Sequence, residues 1–437
     1  IRRRTAGERK HERMTRPAIV REPEEIDFAE FVRPGDTVVW GQACAEPVTL
    51  TTALLRQRDR IGPIRCFVGI PVTGTVQPEV ADRISFVSYC GSGVNRHMVR
   101  AGAMDVTPVH YSMLPGLLTR GPLRADVVLL QLSAPDAHGR YSLGLGDDYY
   151  SAAIDTARVV IAEINDQVPQ TQCSRWLTAE DVDVVVPTSR PPAEAKPKPA
   201  DPVVERVAAN VASLIDDGAT LQFGIGALPD AVLAQLSDRR DLGVHSGLIS
   251  DAVADLMEAG VITNARKSLD RGRSVGGMLM GTRRLFSFAH RNPAVQLRET
   301  GYTHDLSVLA AQDRLVAINS AVEVDLSGQI NAELVAGDYV GAVGGAVDFL
   351  RGAARSKGGL PIVALPSTAG STSRIVPALS GPVSTARADA GLVVTEYGVA
   401  DLRGQPLRSR YERMLAIAHP DHRRALEEAV ERSGVLV

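Results

Sequence analysis

The sequence reads VVLLQL at residues 127–132 and VVIAEI at residues 159–164. Both runs are short and almost continuously apolar, which is typical of strands that are covered on both faces of a parallel sheet. Similar runs stand at residues 37–40, 64–68 and 84–87, with helical stretches between them. The alternation therefore predicts an open parallel sheet flanked by helices, the architecture of an α/β domain.

A second domain is expected after a proline-rich stretch. Six prolines fall between residues 187 and 202, and such a composition predicts an extended linker over residues 187–202. Asp201 followed by Pro202 predicts the start of a helix that runs to about residue 216. Strand candidates then recur at residues 220–223, 315–318, 361–365 and 391–395. We therefore predict two α/β domains, one at residues 14–186 and one at residues 203–437.

Charge and hydropathy exclude several classes of protein. The 437 residues include 48 Lys and Arg against 51 Asp and Glu, a net charge of -3, so we expect no nucleic-acid partner. The apolar runs fall far short of a membrane span, so we expect no membrane partner. Residues 1–13 are polar and Arg-rich without the apolar core of a secretory signal, and we expect them to form a disordered extension outside the fold.

The cysteines predict neither a metal site nor a disulfide framework. Their spacing shows no C-x-x-C pair and no nearby histidine cluster. We expect buried thiols in the reducing environment of the cytoplasm, and no bound metal. The four residues are Cys44, Cys66, Cys90 and Cys173.

Two glycine clusters follow apolar strands and precede helices. Residues 221–232 read LQFGIGALPDAV, with a G-x-G turn at residues 224–226, and residues 341–345 read GAVGG. Glycines at such a turn let a ligand approach the backbone, and the helix start offers N–H groups to an anion or oxyanion. The turn lacks the third glycine of a dinucleotide site and the lysine of a P-loop. A plain strand–helix turn remains the alternative interpretation.

Two further segments contain more polar residues than a loop with only a structural role requires. They read GQACAEP at residues 41–47 and EINDQVP at residues 163–169. The second follows directly after a strand, where active-site loops lie in α/β folds. An ordinary Asx turn before proline fits the same spacing.

Together these segments resemble the acetyl-CoA hydrolase/transferase family, and within it the 4-hydroxybutyrate and butyrate:acetate CoA-transferases. The similarity extends from about residue 36 to residue 429 and includes INSAVEVDL at residues 318–326, VTEYGVA at 394–400 and IAHPD at 417–421. The resemblance implies two related, open, parallel-sheet domains, acyl-CoA bound in a cleft between them, and a homodimer.

The resemblance also implies which residues contact coenzyme A. The turn near the reacting thioester corresponds to Gly224, Ile225, Gly226, Ala227 and Leu228. The strand and glycine loop that line the rest of the cofactor correspond to Val322, Gly344 and Gly345. Family members have Gln after the paired glycines, whereas this chain has Ala346.

The nucleophile of the family is where this sequence departs from it. In the family a segment close to His-Ser/Thr-Glu supplies a glutamate that attacks the acyl-CoA and then carries CoA as a glutamyl thioester. Here the segment reads His245-Ser246-Gly247. Glycine has no side chain, so a covalent glutamyl intermediate cannot form at residue 247, and the space could admit water, an amine, a hydroxyl or a bulkier acyl group.

Several residues are candidates to replace that carboxylate. His245 and Ser246 adjoin the gap, although strand neighbours point to opposite faces and only one is expected to face the cleft. Glu46, Glu163 and Glu333 could activate a water, and each could equally form a buried salt bridge or a cap. Arg96 and Arg374 could bind a carboxylate or phosphate. The sequence therefore predicts His245, Ser246, Gly247 and Glu46 as the catalytic candidates.

Three functions are consistent with this sequence. The first is transfer of an acyl group from acyl-CoA to water or another small nucleophile without a covalent intermediate. The second is carboxylate CoA transfer by a displaced nucleophile, with the carboxylate as acceptor. The third is a CoA-binding subunit without catalytic activity.

Overall fold

The computed structural model describes residues 18–197 and 199–433. The predicted extension at residues 1–13 lies outside this range. The chain forms two compact units. The first unit contains residues up to 196 together with residues 248–251 and 275–303, and the second contains residues 197–247, 252–274 and those from 304 onward.

Helices of the described residues are numbered along the chain. They are α1 Val48–Arg56, α2 Arg58–Ile61, α3 Asn95–Arg100, α4 Leu114–Thr119, α5 Pro202–Ala212, α6 Ala227–Ala234, α7 Asp251–Glu258, α8 Arg283–Ala289, α9 Thr300–Thr303, α10 Leu306–Ala310, α11 Ala346–Arg355, α12 Leu407–Ile417 and α13 Pro420–Ser433.

Strands are numbered in the same way. They are β1 Ile19–Val20, β2 Thr37–Trp40, β3 Ile64–Val68, β4 Ile84–Ser88, β5 Met104–Val106, β6 Val127–Ser133, β7 Val159–Asn165, β8 Val184–Thr188, β9 Thr220–Phe223, β10 Gly243–Val244, β11 Leu248–Ile249, β12 Ser274–Gly276, β13 Met278–Leu279, β14 Val295–Leu297, β15 Leu315–Ser320, β16 Glu323–Asp325, β17 Ile330–Asn331, β18 Leu334–Val335, β19 Asp338–Tyr339, β20 Leu360–Ala364, β21 Thr368–Ala369, β22 Thr372–Ser373, β23 Ile375–Val376, β24 Leu392–Thr395 and β25 Gly398–Asp401.

The first unit is built on an eight-stranded parallel sheet with the order β1-β8-β7-β6-β2-β3-β4-β5. β6 and β7 lie side by side in its interior, and all seven residues of β6 are buried. Burial on both faces explains why this run is apolar without alternation. The predicted strands at 37–40, 64–68, 84–87, 127–132 and 159–164 are confirmed, with β4, β6 and β7 each one residue longer.

The second unit is built on a six-stranded sheet with the order β10-β9-β15-β20-β24-β25. Its first five strands are parallel, and the edge strand β25 is antiparallel to β24. The four predicted strands correspond to β9, β15, β20 and β24. The predicted fold class, α/β with two open, largely parallel sheets, is therefore confirmed.

Local chemistry explains the start of the second unit. The side chain of Asp201 accepts hydrogen bonds from the backbone N–H groups of Val203 and Val204, each at 2.9 Å, so it caps α5 as predicted. The helix ends at Ala212 rather than near residue 216. The hydroxyl of Ser213, the next residue, donates to the carbonyl of Asn210 at 2.8 Å. This hydrogen bond satisfies one of the carbonyls in the last turn of the helix.

The proline-rich stretch begins inside the first sheet. β8 continues through Pro187 and Thr188, which stand opposite Ile164 and Asn165 of β7. Beyond β8, no helix or strand occurs in residues 189–197 or 199–201. The four cysteines are buried free thiols, as predicted. Burial raises the pKa of the Cys44 thiol to about 11, so this thiol is protonated at neutral pH.

Candidate functional site

Three neighbouring strands of the second sheet end beside residues that the sequence singled out. β9 is followed by the glycine turn at residues 224–226, β10 by residues 245–247, and β15 by Val322. These strands are adjacent and parallel, in the order β10-β9-β15. The carboxyl ends of parallel strands form one edge of a sheet, where ligands bind in open α/β folds. The second unit therefore collects most of the candidate residues at one edge.

The turn after β9 leaves backbone groups open to a ligand. Gly226 has a φ of 128°, a conformation that side-chain-bearing residues rarely adopt, which explains the glycine. The N–H of Gly224 donates to the carbonyl of Ile318 at 3.0 Å and ties the turn to β15. Ile225 at the tip is 45% exposed, whereas Leu228 is buried. Ala227 opens α6, whose first N–H groups lack intrahelical acceptors and suit an anion or a developing oxyanion.

Ser246 supports this turn from the neighbouring strand. Its hydroxyl donates to the carbonyl of Phe223 at 3.2 Å, and it accepts from the N–H of Phe223 at 3.4 Å. Phe223 is the last residue of β9, so both hydroxyl interactions fix the residue before the glycine turn. Ser246 is fully buried. These contacts make it a positioning residue in this structure.

His245 is buried on the same strand extension. Its backbone N–H donates to the carbonyl of Leu221 at 3.0 Å, continuing the pairing of β10 with β9. Its ring Nδ1 lies 3.5 Å from the side-chain nitrogen of Gln312. Its side chain is completely buried. The neighbours His245 and Ser246 thus engage different parts of the second unit, as expected for successive residues of an extended segment.

Gly247 and Gly345 both lie against the imidazole of His304. An ideal Cβ built on Gly247 lies 3.5 Å from Cε1 and 3.6 Å from Nε2 of His304, and 3.9 Å from Phe349. Built on Gly345, it lies 2.7 Å from Nε2 and 2.9 Å from Cδ2. A Cβ atom would therefore fit at Gly247, whereas Gly345 is required for close approach of the α11 start to His304. Gly344 has a φ of 54°, which also favours glycine.

His304 is a residue that the sequence analysis missed. It is 6% exposed, and its ring centroid lies 4.6 Å from that of Phe349. Burial, and to a lesser extent the charge of His245, lowers the pKa of His304 to about 3. The imidazole is therefore neutral at physiological pH. No spacing relates residue 304 to residue 247 in the sequence, and only the folded second unit brings the two together.

Val322 lies at a bend of the chain that is stabilised by hydrogen bonds from Arg374. Its carbonyl accepts from Nε of Arg374 at 2.7 Å, and its N–H donates to the carbonyl of Asn331 at 2.8 Å. Arg374 also donates to the carbonyl of Ala321. Burial lowers the pKa of Arg374. The guanidinium donates hydrogen bonds to backbone carbonyls, so Arg374 has a structural role.

The acidic candidates of the first unit use both carboxylate oxygens in hydrogen bonds. Glu46 accepts from Thr51 Oγ1 at 2.8 Å through one oxygen and from Thr73 Oγ1 at 2.5 Å through the other. Glu163 accepts from Arg190 Nε at 2.7 Å and from the Thr49 N–H at 3.0 Å. Both acids are buried. The salt bridge of Glu163 is the structural alternative that the sequence analysis left open.

Glu333, in the second unit, is engaged in the same way. One of its oxygens accepts from Ser384 Oγ at 2.6 Å and the other from the hydroxyl of Tyr339. Its side chain is buried. Arg96 lies in α3 of the first unit and is half-buried. None of the three acids has a carboxylate oxygen without a hydrogen bond in this structure.

The polar loop after β7 forms an Asx turn. The side-chain oxygen of Asn165 accepts from the N–H of Gln167 at 3.1 Å, and its amide donates to the carbonyl of Arg190 at 2.9 Å. A cavity of about 310 Å³ opens beside this loop within the first unit. Residues 166–169 line it together with Arg283 and His290 of the same unit.

Residues 18–197 and 199–433 contain neither a cluster of metal-binding side chains nor a membrane-spanning helix. In this range no group of three or more His, Cys, Asp or Glu side chains is arranged to hold a metal ion. No helix in the same range has the length and apolar character needed to cross a bilayer.

Comparisons with known proteins agree with this architecture. The N-terminal domain of the acetyl-CoA hydrolase/transferase family matches residues 6–192, and the C-terminal domain of that family matches residues 281–430. A 4-hydroxybutyrate coenzyme A transferase from Clostridium kluyveri is 40% identical over 405 residues, which cover 89% of this chain and 92% of that protein. A butyryl-CoA:acetate CoA-transferase from Anaerostipes caccae is 34% identical over 425 residues, 94% of this chain and 95% of that protein.

Solved structures are similar over nearly the whole chain. RipA from Yersinia pestis has a TM-score of 0.90 and 33% identity, covering 98% of this chain and 99% of that one. A 4-hydroxybutyrate CoA-transferase from Porphyromonas gingivalis has a TM-score of 0.82 and 36% identity, covering 95% of this chain and 98% of that one. The chain therefore belongs to the acetyl-CoA hydrolase/transferase family and is an acyl-CoA-dependent transferase or hydrolase.

Proposed function

We propose that this enzyme transfers the acyl group of an acyl-CoA thioester to water or another small nucleophile, without a covalent glutamyl-CoA intermediate. The observation that carries the proposal is Gly247, which follows β10 at the carboxyl edge of the second sheet and offers no carboxylate. In the proposed reaction the glycine turn at residues 224–226 and the start of α6 hold the thioester end of CoA. Val322, Gly344 and Gly345 line the rest of the cofactor.

Space at Gly247 supports this role. The nearest atoms to an ideal Cβ there are at ordinary van der Waals distances of 3.5 Å and more. A glycine is thus not demanded by crowding at this position, in contrast to Gly345. The position therefore accepts a group the size of a Cβ atom. In the proposed reaction a small acceptor attacks the thioester carbonyl while backbone N–H groups of the α6 start stabilise the oxyanion.

The hydrogen bonds of the acids argue against a displaced nucleophile. Hydrogen bonds to a carboxylate stabilise its negative charge and so make it a weaker nucleophile. Both oxygens of Glu46, Glu163 and Glu333 accept hydrogen bonds from side chains or backbone of their own units. Glu163 would also have to leave its salt bridge with Arg190. Breaking a buried ion pair of this kind costs several kcal/mol.

Release of free thiol tests the proposal. The purified protein is incubated with a panel of acyl-CoA esters and with water, carboxylates, amines or alcohols as acceptors, and free CoA is measured with a thiol reagent. Acyl transfer liberates one thiol for each ester consumed, whereas CoA transfer to a carboxylate leaves the free thiol constant. Conversion of acyl-CoA into acceptor-CoA without thiol release would overturn the proposal.

Carboxylate CoA transfer is the second candidate, and the comparisons favour it. The relatives named above carry CoA-transferase activities in their names. This reaction would give parallel-line kinetics with acyl-CoA and carboxylate. It would also leave a CoA adduct on a glutamate, which borohydride reduction and peptide mass spectrometry would locate. An adduct on Glu46, Glu163 or Glu333 would establish this alternative.

We further propose a cytoplasmic homodimer that needs no metal. Light scattering of the purified protein measures its mass in solution. Thiol release in the presence of a chelator tests the metal requirement.

A further inference from the structure

A cavity rich in arginine lies within the second unit. It has a volume of about 360 Å³ and is formed by the end of α11, the segment before β24 and the segment after β25. Small residues and Pro361 line part of it, and its charged side chains are those of Arg351, Arg355, Arg403, Arg410 and Asp389. Four guanidinium groups and one carboxylate therefore line this cavity.

The cavity lies at the opposite edge of the second sheet from the candidate thioester site. α11 begins after Gly345, which belongs to that site, and ends ten residues later at Arg355, which lines the cavity. A helix of this length spans about 15 Å. Pro361 and Gly391 also line the cavity, at the amino ends of β20 and β24, whereas the glycine turn follows the carboxyl end of β9. A ligand in the cavity would thus be separate from the thioester.

Two bidentate ion pairs fix the direction of two of these arginines. Nε and one Nη of Arg351 donate to the two carboxylate oxygens of Asp389, both at 2.9 Å. Arg403 binds Asp401 in the same way, at 2.9 Å and 2.8 Å. Each pair leaves further N–H donors on the same planar guanidinium. Groups held in this way are preorganised for an anion, because binding then costs less side-chain entropy.

The other two arginines have no acidic partner among the described residues. Arg355 is exposed at the last turn of α11, and no side chain in residues 18–197 or 199–433 forms an ion pair with it. Arg410 donates through Nη1 to the carbonyl of Arg387 at 2.8 Å, which fixes the guanidinium without neutralising its charge. Burial, and to a lesser extent the charge of Arg387, lowers the pKa of Arg410. The positive charge at this side of the cavity is therefore uncompensated.

The charges around the cavity leave an excess of about two positive charges. Asp389 and Asp401 balance two of the four lining arginines. Just outside the lining, Asp348 and Arg387 carry opposite charges that cancel each other. A diphosphate group carries at least two negative charges at neutral pH, and its oxygens accept bidentate hydrogen bonds from guanidinium groups. A volume of this size also lies within the range of small-molecule sites.

We propose that this cavity binds a diphosphate group, either as inorganic pyrophosphate or as part of a nucleotide. The inference does not depend on the acyl transfer proposed above. It assigns an anion site to the amino edge of the second sheet, in addition to the glycine turn at the carboxyl edge.

Isothermal titration calorimetry with pyrophosphate and with ADP tests the inference on the purified protein in phosphate-free buffer. We expect a dissociation constant below about 1 mM for pyrophosphate or ADP. Sulfate, which has a single tetrahedral centre, should bind at least about tenfold more weakly than the tighter of the two. Tighter binding of ADP than of pyrophosphate would identify a nucleotide as the ligand, whereas equal binding would show that the diphosphate group alone is recognised.

Two variants and a matched control place the anion in this cavity. Arg355→Gln removes a charged donor and should raise the dissociation constant of the bound probe about tenfold. Ala388→Glu adds a carboxylate at an exposed lining position, and repulsion should weaken binding at least as much. Arg56→Gln is the control, because Arg56 is the exposed last residue of α1 in the first unit, and it should leave binding unchanged. Thermal unfolding shows whether each variant is folded.

The inference is overturned if neither pyrophosphate nor ADP binds at about 5 mM. It is also overturned if both folded cavity variants bind the probe as tightly as the wild type, since the anion then lies elsewhere, for example at the start of α6. Neither result involves thiol release, so a failure of the proposed acyl transfer is detected separately and leaves this inference intact.

Discussion

Restoring a carboxylate at residue 247 should convert this enzyme into a carboxylate CoA-transferase. Gly247→Glu places an acid where the family resemblance puts the nucleophile, in a turn whose backbone does not require glycine. A positioned nucleophile that acts together with its partners contributes several orders of magnitude to a covalent mechanism. We therefore expect acetate-dependent CoA transfer at least about 10³-fold faster than in Gly247→Ala, the matched variant that fills the Cβ position without a carboxylate.

The structure also predicts a small effect of Gly247→Glu on stability. The new Cβ would lie 3.5 Å and 3.6 Å from the His304 ring, which are ordinary contact distances. Replacing a glycine at a compatible position removes conformational freedom from the unfolded chain and gains about 0.4–1 kcal/mol. Partial burial of the carboxylate offsets that gain. We therefore expect the melting temperature to change by less than about 4 °C.

Gly345→Ala serves as the steric contrast. Its Cβ would lie 2.7 Å from Nε2 of His304, so the ring or the start of α11 must move. Overpacking of this kind costs about 1–3 kcal/mol. Differential scanning fluorimetry should therefore separate Gly345→Ala from Gly247→Ala by several degrees.

The assay for Gly247→Glu follows transfer of CoA from butyryl-CoA to labelled acetate by chromatography. Parallel-line kinetics and inactivation by borohydride in the presence of acyl-CoA should accompany the gained activity. The reasoning would be refuted by a Gly247→Glu protein that melts within 4 °C of the wild type and binds CoA, yet transfers none to acetate. In that case residue 247 does not lie at the nucleophile's position that the resemblance implies.

Three further predictions concern stability: a buried ion pair, a buried lysine and a helix cap. Arg190→Met leaves the buried Glu163 carboxylate without its ion-pair partner and should lower the free energy of unfolding by about 3 kcal/mol in urea denaturation. Arg424→Met, which removes an exposed helical pair, should change it by less than about 0.5 kcal/mol. Burial lowers the pKa of Lys267 from 10.5 to about 7, so between these values the unfolded chain binds more protons and stability rises with pH. The wild-type unfolding free energy should therefore increase relative to that of Lys267→Met by about 1 kcal/mol per pH unit from pH 7 to pH 10, and a constant difference would contradict this assignment. Asp201→Ala removes the cap of α5 and should cost about 1 kcal/mol, measured in the same way.

The sheet interiors were predictable from the sequence because burial on both faces removes polar residues. The runs at residues 127–132 and 159–164 became β6 and β7 for this reason. Strands of two or three residues, such as β1 and β10, carry too few side chains to show a pattern. They form because neighbouring strands offer unpaired backbone groups, which a local sequence window does not contain.

The candidate site was predictable where the backbone dictates the residue. Gly226 needs its positive φ, and the turn it forms follows β9 as expected. The position of His304 was not predictable, because its proximity to Gly247 arises only when the segment between α9 and α10 packs against the segment after β10. The structural roles of Ser246 and Arg374 were also not predictable. The sequence does not distinguish a hydroxyl or guanidinium that binds backbone carbonyls from one that binds a ligand.

The interrupted course of the chain through the first unit has a consequence for its biosynthesis. The N–H of Asp147 donates to the carbonyl of Gly277 at 2.8 Å, and the N–H of Leu297 donates to the carbonyl of Gln172 at 2.7 Å. The first unit therefore needs segments translated long after its main sheet, and it cannot be completed until residue 303 has left the ribosome. Until then the nascent sheet exposes surface that these segments later cover, a state prone to aggregation. A gene fragment that stops at the proline-rich stretch would encode that incomplete state permanently.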